Sequence, residues 1–418
     1  AHAEARVHYT SVLEALSHLG STEVNRRRHV DTIIKFVNES FTAESPAVNL
    51  KRLVEAEILA QTLIDSSNRS ASDRLRLAGI HYWMGRLHLR RNAAREAIAY
   101  FQRVLPVAEE FGDAELFAIP CSMIGRMLVW QGQFGRAGPL LALAIAPLEM
   151  AADWPEWIST VGHFGVSLAA RGHYASSLAQ GQRALTRALE MGYFPGVTAC
   201  HGLLAVSYLL AGDLPQLRAE SSTILEAAQQ FGDQPYIALG LILKATVESW
   251  LGNHATALEH LVEARQINQN LTQRILPAEW FIALSADINL KAGQITEALA
   301  LAAEALVIAE STESRIAEGL AQRVWGLALA GLVPAGQSSQ WDEAETHLAT
   351  SLVAFKNGDA NLEVARTHVV WGQVCQDRGY LEAAMDHLQK AAHQFKLTGR
   401  TEELVQTQQL LDALKPVT

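Results

Sequence analysis

The sequence predicts an all-α protein, a right-handed superhelical solenoid of helical hairpins. A glycine recurs at intervals of 40 residues through much of the chain, and small residues keep fixed distances from it on both sides. Between these glycines, apolar residues recur every three or four positions, which is typical of amphipathic helices. A fixed period of this length indicates supersecondary units that stack on their neighbours.

The recurring glycine is predicted to lie in the turn between the two helices of each hairpin. Glycine adopts the left-handed conformation of such a turn at low cost, and asparagine tolerates it as well. These positions, the hairpin marks, are Asn92, Gly132, Gly172, Gly212, Gly252, Gly293, Ser339 and Gly379. We therefore expect eight hairpins between about residues 72 and 412.

Small residues are predicted where the two helices of a hairpin cross, because only short side chains allow close approach there. Seven positions before the marks stand Gly85, Gly125, Gly165, Ala205, Ala245, Ala286 and Gly372. Five positions after the marks stand Ala97, Ala137, Ser177, Ala257, Ala298, Ala344 and Ala384, with Leu217 as the exception.

A second turn is predicted about 20 residues after each mark, where Gly ends one helix and Asp caps the next. The pairs that fit are Gly112-Asp113, Gly232-Asp233 and Gly358-Asp359. Residues 331–340 lengthen the turn of the seventh hairpin, so we expect a mobile loop there.

The flanks of the regular array complete the predicted organisation. Residues 3–19 read as one helix, and residues 24–40 and 50–66 as a degenerate hairpin. We therefore divide the chain into an N-terminal segment, 1–71, and an array of eight repeats with a C-terminal cap, 72–418. Since no linker rich in Pro, Gly or Ser separates them, the two are expected to be continuous.

The spacing of Gly85, Asn92, Ala97 and Phe101 resembles the tetratricopeptide repeat (TPR). The period is longer than the roughly 34 residues of that repeat, which implies longer helices. Such stretched repeats resemble the sensor domain of the maltotriose-responsive bacterial transcription activator. The run HYTSVLEALSHLGSTEVNRRRHVDTIIKFVN resembles the start of the C-terminal array of bacterial signalling ATPases. These resemblances imply a regulatory sensor or docking arm that is fused to an ATPase, cyclase or kinase outside this chain.

Composition excludes several classes of partner and compartment. The net charge of −10 argues against direct nucleic-acid binding, which needs a basic surface. The sequence contains no run of 18 apolar residues and no apolar stretch typical of a signal peptide, so no membrane association is expected. Three widely separated cysteines indicate buried thiols in a reducing cytoplasm. Because the sequence does not begin with Met, we expect it to be part of a longer protein.

No motif predicts catalysis or a bound cofactor. The sequence contains no GxxxxGK[ST], HExxH or GxSxG pattern and no zinc-type spacing of Cys and His. Its fifteen histidines fall mostly singly on helices and are expected to be structural rather than metal ligands. We therefore expect a protein that is not an enzyme, with no cofactor and no metal. A helical-toroid hydrolase with two close carboxylates is a remote alternative.

The TPR resemblance implies that the first helix of each hairpin lines a concave groove. The candidate ligand-binding residues are Tyr82, Arg86, Arg90, Arg126, Trp130, Trp250, Trp280 and Asp287. The arginines could bind a carboxylate or phosphate by paired hydrogen bonds, and the tryptophans could stack on a sugar, base or peptide side chain. In the alternative interpretation, the arginines pair with nearby acids and the tryptophans pack between helices. The same register adds Ser249, Lys291, Arg323, Arg366 and Gln373 to the groove.

The leading hypothesis is a non-catalytic sensor or protein-interaction region of a larger bacterial signalling or regulatory protein. It would bind a peptide, a protein segment or a small-molecule effector in the groove, and a quorum-peptide receptor would be one special case. The second hypothesis is a stand-alone adaptor that holds two proteins together.

Overall fold

The computed structural model describes residues 2–66, 70–91, 93–271, 274–332 and 338–414, which contain twenty α-helices and no strand. In chain order these are α1 (His2–Ser17), α2 (Glu23–Ser40), α3 (Pro46–Ser66), α4 (Ala71–Arg90), α5 (Ala94–Phe111), α6 (Ala114–Trp130), α7 (Phe134–Met150), α8 (Trp154–Ala170), α9 (Tyr174–Glu190), α10 (Phe194–Ala211), α11 (Leu214–Phe231), α12 (Gln234–Trp250), α13 (His254–Gln269), α14 (Ala278–Lys291), α15 (Ile295–Thr312), α16 (Arg315–Leu332), α17 (Ser338–Asn357), α18 (Asn361–Asp377), α19 (Leu381–Leu397) and α20 (Thr401–Ala413).

The helices alternate as the repeat predicts. After α1, the hairpin α2–α3 precedes eight further pairs from α4–α5 to α18–α19, and α20 ends the described chain. The predicted all-α solenoid of TPR-like hairpins is confirmed.

The chain divides into two compact units. Unit 1 comprises residues 1–124 and 143–153, and unit 2 comprises residues 125–142 and 154–418. The helix α7 contributes residues to both. The division between residues 71 and 72 that we predicted stays a prediction.

The hairpin marks form the expected turns at their glycines. Six of them, Gly132, Gly172, Gly212, Gly252, Gly293 and Gly379, have positive φ angles, from 68° at Gly132 to 90° at Gly172. Asn92 lies outside the described residues. Ser339 is an exception, because α17 already begins at Ser338. Half of the expected mobile loop, residues 333–337, also lies outside the described part of the chain.

The small residues lie where helices cross, as predicted. A Cβ atom added to Gly85 would lie 2.7 Å from the ring of Phe101, and one added to Gly125 would lie 2.6 Å from Leu141. At these crossings the larger partner fills the space that the glycine leaves, so the two helices of a hairpin pack closely.

The prediction for the second turn is right at two pairs and wrong at the third. Asp113 and Asp233 cap the following helices by accepting hydrogen bonds from Leu116 N (2.9 Å) and Tyr236 N (3.5 Å). Asp359 does not cap α18, whose N-cap is Ala360, and it adopts a positive φ of 55° itself.

Gly358 serves a contact that the repeat pattern does not contain. Its carbonyl oxygen accepts a hydrogen bond from Phe134 N at 2.9 Å. A Cβ atom on Gly358 would lie 2.2 Å from Gly132 O, so glycine is required for this close approach. The conformation of the turn at 358–359 is therefore determined by its packing against residues 132–134, and not by the local pattern in which Gly ends one helix and Asp caps the next.

Unit 1 is built around α2, α3 and α4. Its core includes Val30, Ile33, Leu53, Ile80 and Met84. A buried carboxylate, that of Asp73, pairs with Arg27 at 2.8 Å and with Arg76 at 3.0 Å. These ion pairs join α2 to the first turn of α4, because a buried charge must be neutralised by partners.

Unit 2 curves back on itself, because three of its hairpin turns contact helices that follow much later. The turn between α6 and α7 is joined to α14 and α16 by Trp280 Nε1 donating to Trp130 O (2.9 Å) and Arg315 N donating to Gln131 O (2.7 Å). The turns after α8 and α10 are joined to α18 by Asn361 Nδ2 donating to Arg171 O (3.1 Å) and Arg366 Nη1 donating to Leu210 O (2.8 Å). We call these the closing contacts of unit 2.

One helix among the described residues, α10, is long and apolar enough to cross a membrane by length and composition, with a mean hydropathy of 1.4. Of its residues, 61% are buried inside the structure, where it packs against α8, α9 and α11. Its apolar character is that of a core helix surrounded by its neighbours.

Candidate ligand-binding cavity

A cavity of about 1310 Å³ lies within unit 2. One side is formed by α12, α14, α16 and α18, which are the first helices of four successive hairpins. The other side is formed by α20, and the turns that follow α10 and α12 complete the lining. The cavity therefore lies between the predicted groove and the C-terminal helix.

Trp250, Asp287 and Lys291 form the first polar group of the lining. Trp250 Nε1 donates to Asp287 Oδ2 at 3.4 Å, and the Lys291 ammonium both pairs with Asp287 and lies 5.7 Å from the Trp250 ring. Burial alone would raise the pKa of Asp287, but the charges of Lys291 and Arg323 and the two hydrogen bonds lower it below its usual value. Asp287 is therefore ionised at neutral pH.

Arg323, Glu363 and Arg366 form the second group. Arg323 Nη1 lies 2.7 Å from Glu363 Oε2, and Arg366 pairs with the other carboxylate oxygen, Glu363 Oε1. Burial opposes ionisation of Glu363, yet the two guanidinium groups lower its pKa to about 2.

The two groups make a row of alternating charge along the first helices. We call it the charge row, and its members are Lys291, Asp287, Arg323, Glu363 and Arg366. It contains three cations and two carboxylates.

Three buried polar atoms of lining residues have no hydrogen-bond partner among the described residues. They are Ser249 Oγ, His254 Nδ1 and Arg366 Nη2. Leaving such a group unsatisfied in a buried position costs about 1–3 kcal/mol, so most buried polar groups in native proteins have partners. A ligand with its own polar groups would supply partners here.

The side of the cavity formed by α20 has the opposite charge balance. Arg400 pairs with Glu403 at 2.7 Å and lies 5.3 Å from the ring of Tyr174. Glu402 is exposed, and Asp213 in the turn after α10 accepts hydrogen bonds from Tyr174 Oη and Gln216 N. Two carboxylates and one guanidinium therefore line this side, and the turn after α10 adds the carboxylate of Asp213.

Of the candidate ligand-binding residues predicted from the sequence, Trp250 and Asp287 line the cavity. The further groove residues of the same register also line it, and these are Ser249, Lys291, Arg323, Arg366 and Gln373. Trp280 and Trp130 lie together elsewhere in unit 2, with their ring centroids 5.9 Å apart. Trp280 is only 1% exposed, and its indole N–H is bonded to Trp130 O. Arg126 pairs with Glu156 at 3.0 Å. These three residues thus have structural partners.

The remaining predicted residues, Tyr82, Arg86 and Arg90, form an aromatic and cationic cluster in unit 1. Arg86 lies 4.7 Å from the ring of Phe41 and donates to Tyr82 Oη at 3.1 Å. Arg90 donates to the carbonyl oxygen of Phe41. A ligand-binding role for this cluster stays a prediction.

Sequence reasoning missed the α20 side of the cavity. The sequence predicts the final helix as a C-terminal cap, whereas the positions of Asp213, His254 and Arg400 relative to the first helices follow from the curvature of unit 2. The one sequence feature that could have indicated a role for α20 in the cavity is the spread of polar residues around the final helix, EELVQTQQLLDAL. This spread leaves the helix without a single solvent-exposed polar face.

Comparisons with known proteins find similarity among solved structures only. No protein-family model and no curated protein matches the chain. The apo form of RapI matches with 13% identity and a TM-score of 0.49, over 89% of this chain and 98% of its own. Aspartyl phosphate phosphatase F from Bacillus subtilis matches with 14% identity and a TM-score of 0.49, over 87% and 93%. A signal-transduction ATPase with numerous domains and a TPR sensor, from Pyrococcus horikoshii, matches with 13% identity and a TM-score of 0.39, over 84% of this chain and 53% of its own.

Proposed function

We propose that the chain is a non-catalytic interaction module, and that unit 2 binds an extended peptide or protein segment in its cavity. The observation that carries the proposal is the lining of that cavity, where three buried polar atoms have no partner among the described residues. In this proposal the module is the sensor or interaction region of a larger bacterial signalling protein.

The size of the cavity favours a peptide over a small metabolite. Pockets for small molecules usually measure about 300–1,000 Å³. The cavity in unit 2 exceeds that range at about 1310 Å³. A small metabolite would leave much of the lining without contacts, whereas an extended segment could reach both the charge row and α20.

The titration of buried groups supports a non-catalytic role. A hydrolase that uses two acids needs one of them protonated, with a raised pKa. In unit 2, Asp287 and Glu363 both have lowered pKa values because of their cationic partners. Burial raises the pKa of the Cys200 thiol to about 12 and that of the Cys375 thiol to about 11, so neither is a thiolate at neutral pH.

A blocked cavity tests the proposal. Gln373 is exposed at the lining, so Gln373→Trp should fill part of the cavity without disturbing the core. The full chain is incubated with a pooled library of N-acetylated, C-amidated hexapeptides, and retained peptides are quantified by mass spectrometry after gel filtration. We expect Gln373→Trp to reduce retention at least about tenfold, equivalent to roughly 1.4 kcal/mol.

Gln389→Trp is the matched control, because Gln389 is exposed on α19 and does not line the cavity. It should retain peptides as the wild type does. Retention that is unchanged by Gln373→Trp, or no retention by any of the three proteins, would contradict the proposed function.

A further inference from the structure

We infer that unit 1 carries a second docking site, at which Arg86 and Arg90 bind side-chain carboxylates of an acidic protein segment. This site does not involve the cavity of unit 2, so the inference goes beyond the proposed function. It follows from the aromatic rings that hold the two arginines, from the carboxylate partners that both arginines lack, and from a neighbouring ion pair that shows which group fits such an arrangement.

The guanidinium group of Arg86 is held among three aromatic rings. Its carbon atom lies 4.7 Å from the ring centroid of Phe41, 5.1 Å from that of Trp83 and 5.7 Å from that of Tyr82. The faces of such rings attract a cation. Because these contacts restrict the arginine side chain before a ligand arrives, little rotamer entropy remains to be lost on binding.

Arg90 lies one helical turn further along α4 and shares the ring of Phe41. Its guanidinium carbon is 5.1 Å from the ring centroid, and its Nη1 donates to Phe41 O and, at 3.4 Å, to Glu44 O. Arg90 is exposed and Arg86 is half-buried, so a ligand can reach both. Since both guanidinium groups lie beside one ring, they belong to one surface.

Both arginines keep most of their hydrogen-bond donors free. A guanidinium group has five N–H donors in a fixed fork. Arg86 donates to Tyr82 Oη at 3.1 Å, and Arg90 donates through Nη1 to carbonyl oxygens. Within the described part of the chain neither arginine pairs with a carboxylate, whereas Arg74 and Arg76 of the same unit do.

A neighbouring arginine shows which group this arrangement accepts. The guanidinium carbon of Arg52 lies 4.2 Å from the ring centroid of Phe36, and Arg52 pairs with the carboxylate of Glu44. Arg86 and Arg90 have the same support from an aromatic ring but lack the carboxylate. A carboxylate bound to either of them would accept charge-assisted hydrogen bonds, which are roughly twice as strong as neutral ones.

The charge balance of this surface favours an anionic partner with two carboxylates. The Glu44 carboxylate neutralises Arg52, and the positive charges of Arg86 and Arg90 remain. In an extended segment, side chains two positions apart lie on the same face. A segment with acidic residues at this spacing therefore presents two carboxylates to the two guanidinium groups.

Three matched peptide pools test the inference on the full chain. Each pool consists of N-acetylated, C-amidated hexapeptides with uncharged residues at four positions. The third and fifth residues are both Glu, both Gln, or Gln and phosphoserine. Peptides retained after gel filtration are quantified by mass spectrometry. We expect wild-type protein to retain the Glu pool at least about tenfold better than the Gln pool, equivalent to roughly 1.4 kcal/mol.

Substitutions at the two arginines should reduce this preference. Arg90→Gln removes one exposed guanidinium group, and Arg86→Lys keeps the charge but loses the planar fork that fits a carboxylate. Each should lower retention of the Glu pool at least about fivefold. Arg103→Gln is the control, because Arg103 is an exposed arginine of unit 1 that also lies over a ring, 5.0 Å from the centroid of Tyr100, and has a carboxylate, that of Glu57, at 3.9 Å. This variant should keep the preference.

Gln373→Trp separates this site from the cavity, which Gln373 lines. It should leave the excess retention of the Glu pool over the Gln pool unchanged. Loss of that excess would place the acidic segment in unit 2 and overturn the inference.

Three further outcomes would also overturn it. They are equal retention of the Glu and Gln pools, stronger retention of the phosphoserine pool, and a preference for Glu that responds to Arg103→Gln as it does to Arg86→Lys and Arg90→Gln. The Gln pool reports on the cavity of unit 2. Wild-type protein that retains the Glu pool but not the Gln pool would therefore support this inference and contradict the proposed function.

Discussion

At the scale of single residues, the buried His163 makes unit 2 sensitive to acid. Burial, aided by the nearby charge of Arg126, lowers the pKa of His163 to about 3, although its hydrogen bond to Ser159 O at 2.7 Å opposes the shift. The unfolded chain therefore binds a proton at a pH where the folded chain does not. The stability that the folded chain has with His163 neutral is fully present above about pH 6.5, and it is lost as the pH falls toward 3.

We predict that His163→Gln reduces the loss of stability on acidification. Between pH 7 and pH 5, protonation of His163 in the unfolded state should cost the wild type about 2 kcal/mol. Urea unfolding at the two pH values measures this difference. His393→Gln, which removes an exposed histidine of unit 2, should behave as the wild type does. An equal loss in the wild type and in His163→Gln would show that this residue is not the cause.

The candidate site could be predicted only on the side that the repeat determines. Trp250 and Asp287 were found because equivalent positions of successive first helices share one face. Trp280 belongs to the same set, yet its ring meets Trp130, a residue 150 positions earlier in the chain. Nothing in a local pattern predicts which residues a curved array brings together over such a separation, so the α20 side and the unpartnered Arg366 Nη2 could not be found.

At the scale of elements, the helices and most turns followed from the sequence, because spacing and glycine conformations are local properties. Gly358-Asp359 is the pair at which this local prediction is wrong. The pattern Gly-Asp predicts a helix stop and a cap, but the structure uses the missing side chain for contact with Gly132 O. The local signal was the same as at Gly112 and Gly232, and only the tertiary contact distinguishes them.

We predict that Gly358→Ala destabilises unit 2. Its φ is not positive, so alanine is allowed by the backbone. The added Cβ atom would nevertheless lie 2.2 Å from a backbone oxygen, which can move only with its whole turn. Overlaps of this kind typically cost about 1–3 kcal/mol, more than the roughly 1 kcal/mol that alanine gains over glycine in a helix. Urea unfolding of the two proteins measures the change.

Gly331→Ala provides the comparison for that experiment. Gly331 lies in the last turn of α16, and no heavy atom lies within 4 Å of the Cβ position. This substitution should leave stability unchanged or raise it by up to about 1 kcal/mol. If Gly358→Ala were as stable as Gly331→Ala, the close approach of residues 132–134 to Gly358 would be refuted.

At the scale of the whole molecule, the closing contacts change how unit 2 should unfold. In an open solenoid each repeat contacts only its neighbours, so repeats can unfold in sequence from an end. In unit 2 the bonds at Trp280, Arg315 and Arg366 join early hairpin turns to much later helices. Since an end repeat cannot leave without breaking these bonds, we expect unit 2 to unfold as one cooperative transition.

Trp280→Phe tests this cooperativity, because it keeps an aromatic ring but removes the N–H that donates to Trp130 O. Its loss should cost about 1 kcal/mol and weaken protection from hydrogen exchange at Arg315 N–H and Phe134 N–H, both of which close the same turn. Trp371→Phe is the control, since the buried Trp371 Nε1 has no hydrogen-bond partner among the described residues. Trp371→Phe should leave protection at the closing contacts unchanged. Equal effects of both substitutions on exchange at Arg315 and Phe134 would mean that ring volume, rather than the closing hydrogen bond, holds unit 2 together.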